Sequence, residues 1–337
     1  MNFETIRSEI HNNLPDFSGV ISFSKNGNPI YEEAFGHSVL NEEIPNDIHT
    51  RFPTASGSKI FTAVAILRLV ESGKLSLDDS VVTHLPGHFP FMNEEVTVKH
   101  LLTHTSGFED YFDEEENDDY ASLWSNLPMY GLKSPDDFLV LLKDKKMEFK
   151  PGERFKYNNG AFVILSMIIE AVTKKSFHDV IKEHIFTVAD MQCSGYFALN
   201  DLPKNTALGY YKDETGHLLS NIYTVPIIGG GDGGGYTTVS DIMRFWNTLV
   251  QGKFIHVPLL KEMISSKSPR EEDEPYGYGV WLVKKDSDIT RLYIVGADPG
   301  VSMISDYDLE TDLICTILSN RDDQAFQVRE IVKPYLS

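Results

Sequence analysis

From residue 60 to residue 70 the chain is apolar at every position except Thr62 and Arg68, and Glu71-Ser72-Gly73 then closes the run. A stretch that is apolar all round predicts a buried helix, with Gly73 as its C-terminal stop. Elsewhere the pattern alternates. Residues 19–35 read as two strands joined at Lys25-Asn26-Gly27-Asn28, because Asn-Gly between apolar runs is a strong hairpin signal. Residues 278–283, 291–295, 301–305 and 312–318 are short runs rich in β-branched or aromatic residues, separated by charged turns, and they also predict strands. Helical spacing dominates between these strand-rich ends, at residues 136–142, 161–172 and 240–249, and returns at 323–335.

Strands at both ends with helices between them predict an α+β fold: one antiparallel sheet built from both chain termini and flanked by helices, with a mostly helical insertion. The expected division is discontinuous. Residues 1–78 and 208–337 would form the sheet domain and residues 79–207 the helical one, with the active site in the cleft between them.

Composition narrows the partners more than the fold. The 337 residues are 41% apolar and 24% charged, ordinary for a globular chain with a sizeable core. Fifty acidic against thirty basic side chains give a net charge of −20, which opposes nucleic acid and anionic membranes as partners. No stretch approaches about 18 uninterrupted apolar residues, so membrane insertion is not expected. The first residues lack a basic segment followed by an apolar one, which predicts a cytoplasmic chain unless a leader has been trimmed away. Cys193 and Cys315 lie far apart in apolar or mixed surroundings and are expected to be buried free thiols. The acidic run at residues 113–119 reads as a solvated loop, since it lacks the alternating ligands and central glycine of a calcium loop.

Candidate chemistry begins at Ser56-Gly57-Ser58-Lys59, at the head of the apolar helix. Residues three apart share a helix face, so Lys59 can reach back to the Ser56 hydroxyl, and burial would lower its proton affinity. Unpaired N–H groups at a helix start favour an anionic intermediate there. Taken alone, the same residues also fit a capping serine with a lysine one turn on. A second polar cluster, Tyr157-Asn158-Asn159, precedes the apolar run at 161–172. Tyrosine serves as a general base only if cations draw its pKa down from about 10, and Lys59 is the cation expected to do so. Near the C-terminus, Gly296 would let a substrate lie close to its strand, while the Ala297 and Ser56 N–H groups could face a developing oxyanion.

Ser56-x-x-Lys59, Tyr157-x-Asn159 and the late glycine-bearing strand, in this order, resemble the serine β-lactamase and penicillin-binding protein superfamily, in its class C β-lactamase-like branch. The connecting segments Leu101-Leu102-Thr103-His104-Thr105-Ser106-Gly107 and Tyr276-Gly277-Tyr278-Gly279 resemble it too, and coverage runs from about residue 17 to 320. The resemblance implies a serine hydrolase that forms an acyl-enzyme on Ser56 and cleaves an amide or ester, without metal or organic cofactor. Lys59 and Tyr157 would share proton handling, Asn159 would orient Lys59 and a substrate amide, and the Ser56 and Ala297 N–H groups would form the oxyanion hole. One departure matters: where that branch has Lys-Thr-Gly or His-x-Gly, the basic position here is Ile294. The missing cation makes peptidase or esterase action a better expectation than efficient β-lactam hydrolysis. Asp298 close by points to a neutral or cationic small-molecule or peptide substrate, with Gly296 and Asp298 as substrate-binding positions.

Three other readings compete. A non-catalytic relative kept for binding is consistent with Ile294, although a pure binder has no need of Ser56, Lys59, Tyr157 and Asn159 together. The glycines at residues 229–235 satisfy G-x-G-x-x-G and suggest a dinucleotide-binding oxidoreductase, but six glycines in seven positions match trivially and no regular βαβ alternation surrounds them. The expected role of that run is a flexible loop bordering the cleft. His100 and His104 have the spacing of a zinc pair, with His84 and His88 upstream, but the glutamate expected after the first histidine is missing.

Overall fold

Both ends of the chain contribute to a single six-stranded sheet. The computed structural model describes residues 2–117, 119–267 and 275–336, so Asp118 of the acidic run lies outside the described residues. A helix that the apolar pattern did not announce, α1 (Phe3–Asn13), comes first, capped by Asn2 and burying Ile6 and Ile10. Next come β1 (Gly19–Lys25) and β2 (Asn28–Phe35), joined through Asn26 and Gly27 at φ of 51° and 76°. Two successive positive φ values are what a type I′ hairpin turn demands, and the Asn-Gly pair supplies them. The principal helices that follow are α2 (Lys59–Glu71), α3 (Asn159–Thr173) and α4 (Val239–Val250). The chain then closes the sheet with β3 (Trp281–Lys285), β4 (Asp288–Asp298), β5 (Val301–Asp308) and β6 (Leu313–Ser319), and ends in α5 (Gln324–Val332).

The strand order is β2-β1-β6-β5-β4-β3, with every neighbouring pair antiparallel. This is the α+β sheet from both termini that the sequence predicts. Side chains alternate between two cores as the period of a strand requires. Ile21, Phe23, Cys315 and Ile317 face α1 and α5, whereas Val20, Ile314, Leu318 and Met303 join the core with α2 and α4. Residues 79–207 contain α3 with several short helices and isolated bridges.

Burial all round explains α2, in which every residue from Lys59 to Leu67 is buried. Phe61 packs edge-on against Phe186 and Phe245, with ring centroids 5.3 and 5.1 Å away. Each large apolar side chain so enclosed contributes ~1.5–3 kcal/mol, enough to hold a helix with little amphipathic character.

Some expectations shift. The strand expected at 278–283 begins only at Trp281, because Gly279 takes φ of 70° and Tyr276 and Tyr278 both turn into the core. Residues 136–142 form a 3₁₀ turn running into one helical turn, rather than one regular helix. Both cysteines are free, but only Cys315 is buried; Cys193 is half-buried, because its loop runs along the surface rather than through a core.

Candidate active site

Ser56 lies in a tight 3₁₀ turn, Ala55–Ser58, immediately ahead of α2 rather than in its first turn. Main-chain and side-chain bonds hold the turn: Gly57 N–H donates to Thr54 O (2.8 Å), Gly234 N–H to Ala55 O (3.2 Å), and Ser58 Oγ–H to Ala55 O (3.0 Å). Ala55 takes φ of 44°, a left-handed conformation that costs an L-residue ~1–3 kcal/mol and is kept where the surroundings over-determine it. Strand β4 runs flush against this turn. A Cβ on Gly296 would overlap Thr54 O and lie 2.8 Å from Gly57 N and 3.0 Å from Ser56 N, so only glycine fits. The next residue, Ala297, lines the same cavity as Ser56.

Lys59 is 3% exposed and its Nζ meets three oxygens: Ser56 Oγ at 2.9 Å, Asn159 Oδ1 at 2.7 Å and Asp232 O at 2.6 Å. Burial lowers its proton affinity, against the charges of Asp232, Glu114, Asp110 and Asp298. Three acceptors can hold the ammonium, and burial favours the neutral amine in the same place. Two N–H bonds go to Asn159 Oδ1 and Asp232 O, leaving the lone pair for the Ser56 hydroxyl proton.

Tyr157 departs from expectation. Burial, reinforced by the charge of Glu114, pushes its hydroxyl well above 10 despite a hydrogen bond with Ser56. Lys59 Nζ stands 4.9 Å from the ring centroid, over the face, and does not draw the hydroxyl toward neutrality. Tyr157 is therefore a protonated donor near neutral pH. Its ring lies between His104, 4.5 Å away, and Trp281, stacked at 6.4 Å and 15°. His104 is fixed as a neutral ring: its Nδ1 accepts from Asn158 N–H (3.1 Å), which leaves Nε2–H for Tyr276 Oη (3.2 Å), and burial together with Lys59 holds its pKa well below 6.5.

Asn159 opens α3, and a buried carboxylate secures it there. Asp110 accepts from the N–H groups of Tyr111 (2.7 Å), Asn159 (2.6 Å) and Gly160 (2.8 Å), the last two at the positive end of α3. Even so, burial pushes its pKa up to about 7. The Asn159 Nδ2 donates to Glu114 Oε1 at 2.7 Å, which turns Oδ1 toward Lys59. The acidic loop is thus more than a solvated run. Glu114 reaches the site, and Asp113 pairs with Lys156 at 2.6 Å. A substrate amide seeking Asn159 must compete with Glu114.

The cavity in front of Ser56 has a volume of about 580 Å³. Its wall carries Glu114, Asp119, Asp232, Asp298, Asp322 and Asp323 against one basic residue, Lys212, together with apolar Phe112, Phe138, Phe197 and Ile227. Burial raises the Asp298 pKa to about 7, with Lys59 pulling the other way. Ile294 is 3% exposed and belongs to the hydrophobic core, so that position supplies no cation.

The glycine run borders the cavity as expected, and hydrogen bonds tie it to surrounding elements. His178 Nε2 is 2.8 Å from Gly229 O, Thr62 Oγ1 donates to Gly231 O (2.7 Å) and Thr54 Oγ1 to Gly235 O (2.8 Å). His100 Nδ1 accepts from Thr97 N–H (3.1 Å) to start a short helix, and does not converge with His104. Among the described residues, no group of three or more His, Cys, Asp or Glu is disposed to hold a metal ion, and no helix is long and apolar enough to cross a membrane.

Ser56, Lys59, Tyr157, Asn159, Gly296 and Ala297 are thus brought together, with Asp298 at the same cavity. Sequence reasoning missed Asp110, Glu114, Asp232, His104 and Trp281 as neighbours of the site. The Asp in the glycine run, the acidic run, and His104 in the segment that resembles the family were the ones that carried a signal.

Comparison with known proteins agrees with this fold. A family model described as Beta-lactamase matches residues 13–332. Penicillin-binding protein 4* of Bacillus subtilis (strain 168) is 31% identical, over 98% of this chain and 73% of that protein. The crystal structure of a penicillin binding protein from Bacillus halodurans superposes with a TM-score of 0.93 at 38% identity, covering 98% of this chain and 100% of that one. D-amino acid amidase from Ochrobactrum anthropi shares the fold, with a TM-score of 0.81 at 21% identity over 99% of this chain and 97% of its own.

Proposed function

The chain belongs to the beta-lactamase family, and on that premise we propose that it is a serine hydrolase that acylates Ser56 and cleaves a neutral or cationic amide or ester. The observation that carries this reading is the buried Lys59 amine, 2.9 Å from Ser56 Oγ and bound on its other sides by Asn159 Oδ1 and Asp232 O. As Ser56 Oγ attacks the carbonyl carbon, its proton passes to the lone pair of Lys59. The oxyanion is met by the Ser56 and Ala297 N–H groups, a contribution typically of ~10²–10³ in rate per donor. Tyr157, protonated at neutral pH, donates to the leaving nitrogen or oxygen and is reprotonated from Lys59. Water then attacks the acyl-enzyme and gives its proton to Lys59, which passes it on to Ser56 Oγ as the acyl–oxygen bond breaks.

The substrate preference rests on charge. Buried Ile294 offers nothing to a substrate carboxylate, and Glu114, joined by Asp298 as pH rises through about 7, gives the wall a negative character. We read the enzyme as a peptidase or esterase in preference to an efficient β-lactamase. Hydrolysis of matched cationic, neutral and anionic esters and amides, with Ser56→Ala as control, tests this. Turnover that favours the anionic members would overturn the substrate assignment. No turnover of any member, equal in parent and control, would favour a binding protein built on the same fold.

A further inference from the structure

Asp232 belongs to neither the Ser-x-x-Lys nor the Tyr-x-Asn pattern, yet its own main chain makes the shortest of the three Lys59 contacts, at 2.6 Å. Its side chain is 8% exposed and accepts from the Tyr111 hydroxyl at 2.6 Å; Tyr111 Oη in turn lies 3.2 Å from Tyr120 Oη. Of the glycines on either side, Gly231 leaves no room for a side chain and Gly233 leaves little. A Cβ on Gly231 would overlap the Phe162 carbonyl oxygen, and one on Gly233 would lie 3.1 Å from the main chain of Ala55. Thr62 in α2 and Ala55 in the Ser56 turn bind the loop through Gly231 O and Gly234 N–H. The segment therefore threads between α2, α3 and the nucleophile's turn, and delivers one carbonyl and one carboxylate beside Lys59.

A buried carboxylate is costly unless a cation or donor answers it. Here burial raises the Asp232 pKa, and Lys59 and the Tyr111 hydroxyl answer it by favouring the charged form. We infer that Asp232 is a positioning residue of the reaction: clamped by Tyr111, it aims the carbonyl that orients the Lys59 amine, and its charge governs how readily that amine holds the Ser56 proton. The inference rests on Lys59 acting as the base for Ser56. Four carboxylates face Lys59, those of Asp232, Glu114, Asp110 and Asp298, alongside the neutral Tyr157 hydroxyl and His104 ring. Asp110 caps α3 and Glu114 holds Asn159, while of the two that line the cavity, Asp232 and Asp298, only Asp232 also gives Lys59 a main-chain acceptor. Asp232 exerts the largest of the four pulls on Lys59.

The test uses the full chain, an activated ester and a phosphonate probe. Asp232→Asn keeps both the main-chain carbonyl and an acceptor for Tyr111, but removes the charge. Lys59 then loses its proton at lower pH, and the acid limb of kcat/KM moves down by about one pH unit. Tyr111→Phe keeps the charge and removes the clamp; its kcat falls about tenfold or more with KM nearly unchanged, because the base is misaimed rather than the substrate. An acid limb unmoved in a folded, phosphonate-labelled Asp232→Asn protein overturns the inference. Should that variant not fold, a Tyr111→Phe protein with parental kcat overturns it instead. Failure of the parent itself to label would reject the Ser56 reading on which the inference stands, and so is distinguishable from both.

Discussion

Replacing Gly296 by alanine perturbs the closest approach in the site. The added Cβ would overlap Thr54 O and come within 2.8 Å of Gly57 N and 3.0 Å of Ser56 N, where comfortable heavy-atom contacts begin near about 3.5 Å. All three are main-chain atoms of a turn bonded on both sides, so no side chain can swing away. Relief requires β4 and the Thr54–Ser58 segment to separate by roughly 1–1.5 Å. That separation carries Ala297 N–H away from Ser56 N–H, and losing one oxyanion donor costs ~10²–10³ in kcat, or ~3–4 kcal/mol. Overpacking subtracts a further ~1–3 kcal/mol from stability. The assay is kcat and KM on an activated ester, with thermal melting on the same samples. The expected result is a folded protein that melts several degrees lower, with kcat down by about a hundredfold or more and KM nearly constant. A folded Gly296→Ala protein with kcat within about threefold of the parent would refute the claim that β4 carries half of the oxyanion hole.

Tyr157→Phe removes the proton donor to the leaving group; amide turnover should fall by ~10²–10³, while an ester with a good leaving group loses much less, and equal losses on both would contradict the donor role. Asp298→Asn should narrow the preference for cationic over matched anionic esters, read as a ratio of kcat/KM values; an unchanged ratio would remove Asp298 from substrate selection. Asp110 supplies a stability test, because its folded pKa of about 7 lies above the ordinary carboxylate value of 3.8. The native state binds this proton more tightly than the unfolded one, so the contribution is present below about pH 4 and is lost as pH rises toward 7, up to ~4 kcal/mol in all. Thermal melts should therefore show a larger fall in stability between about pH 5 and 8 for the parent than for Asp110→Asn.

The sheet was legible because its signals are local: Asn-Gly at the hairpin tip, and β-branched alternation in β4, β5 and β6. The nucleophile was legible for the same reason, since Ser56 and Lys59 are three residues apart. What escaped was assembled by tertiary contact. Asp110 sits 49 residues before Asn159, and Asp232 lies 173 residues beyond Lys59, yet each is hydrogen-bonded to its distant partner. Tyr157 misled in a different way. Its neighbour Lys59 is visible in the sequence, but burial and the charge of Glu114, which decide its proton affinity, are not. The strand start at Trp281 was misjudged because Tyr278 reads as a strand residue, while its burial goes with a turn at Gly279.

The central claim is that Ser56 becomes acylated. Intact-mass measurement after exposure to an activated ester, a phosphonate and a penicillin, followed by peptide mapping, tests it most directly. A single adduct is expected from the ester or the phosphonate, mapped to Ser56 and absent from Ser56→Ala, with penicillin the weakest of the three reagents. Equal labelling of Ser56→Ala, or no adduct from any reagent on the parent protein, would contradict it.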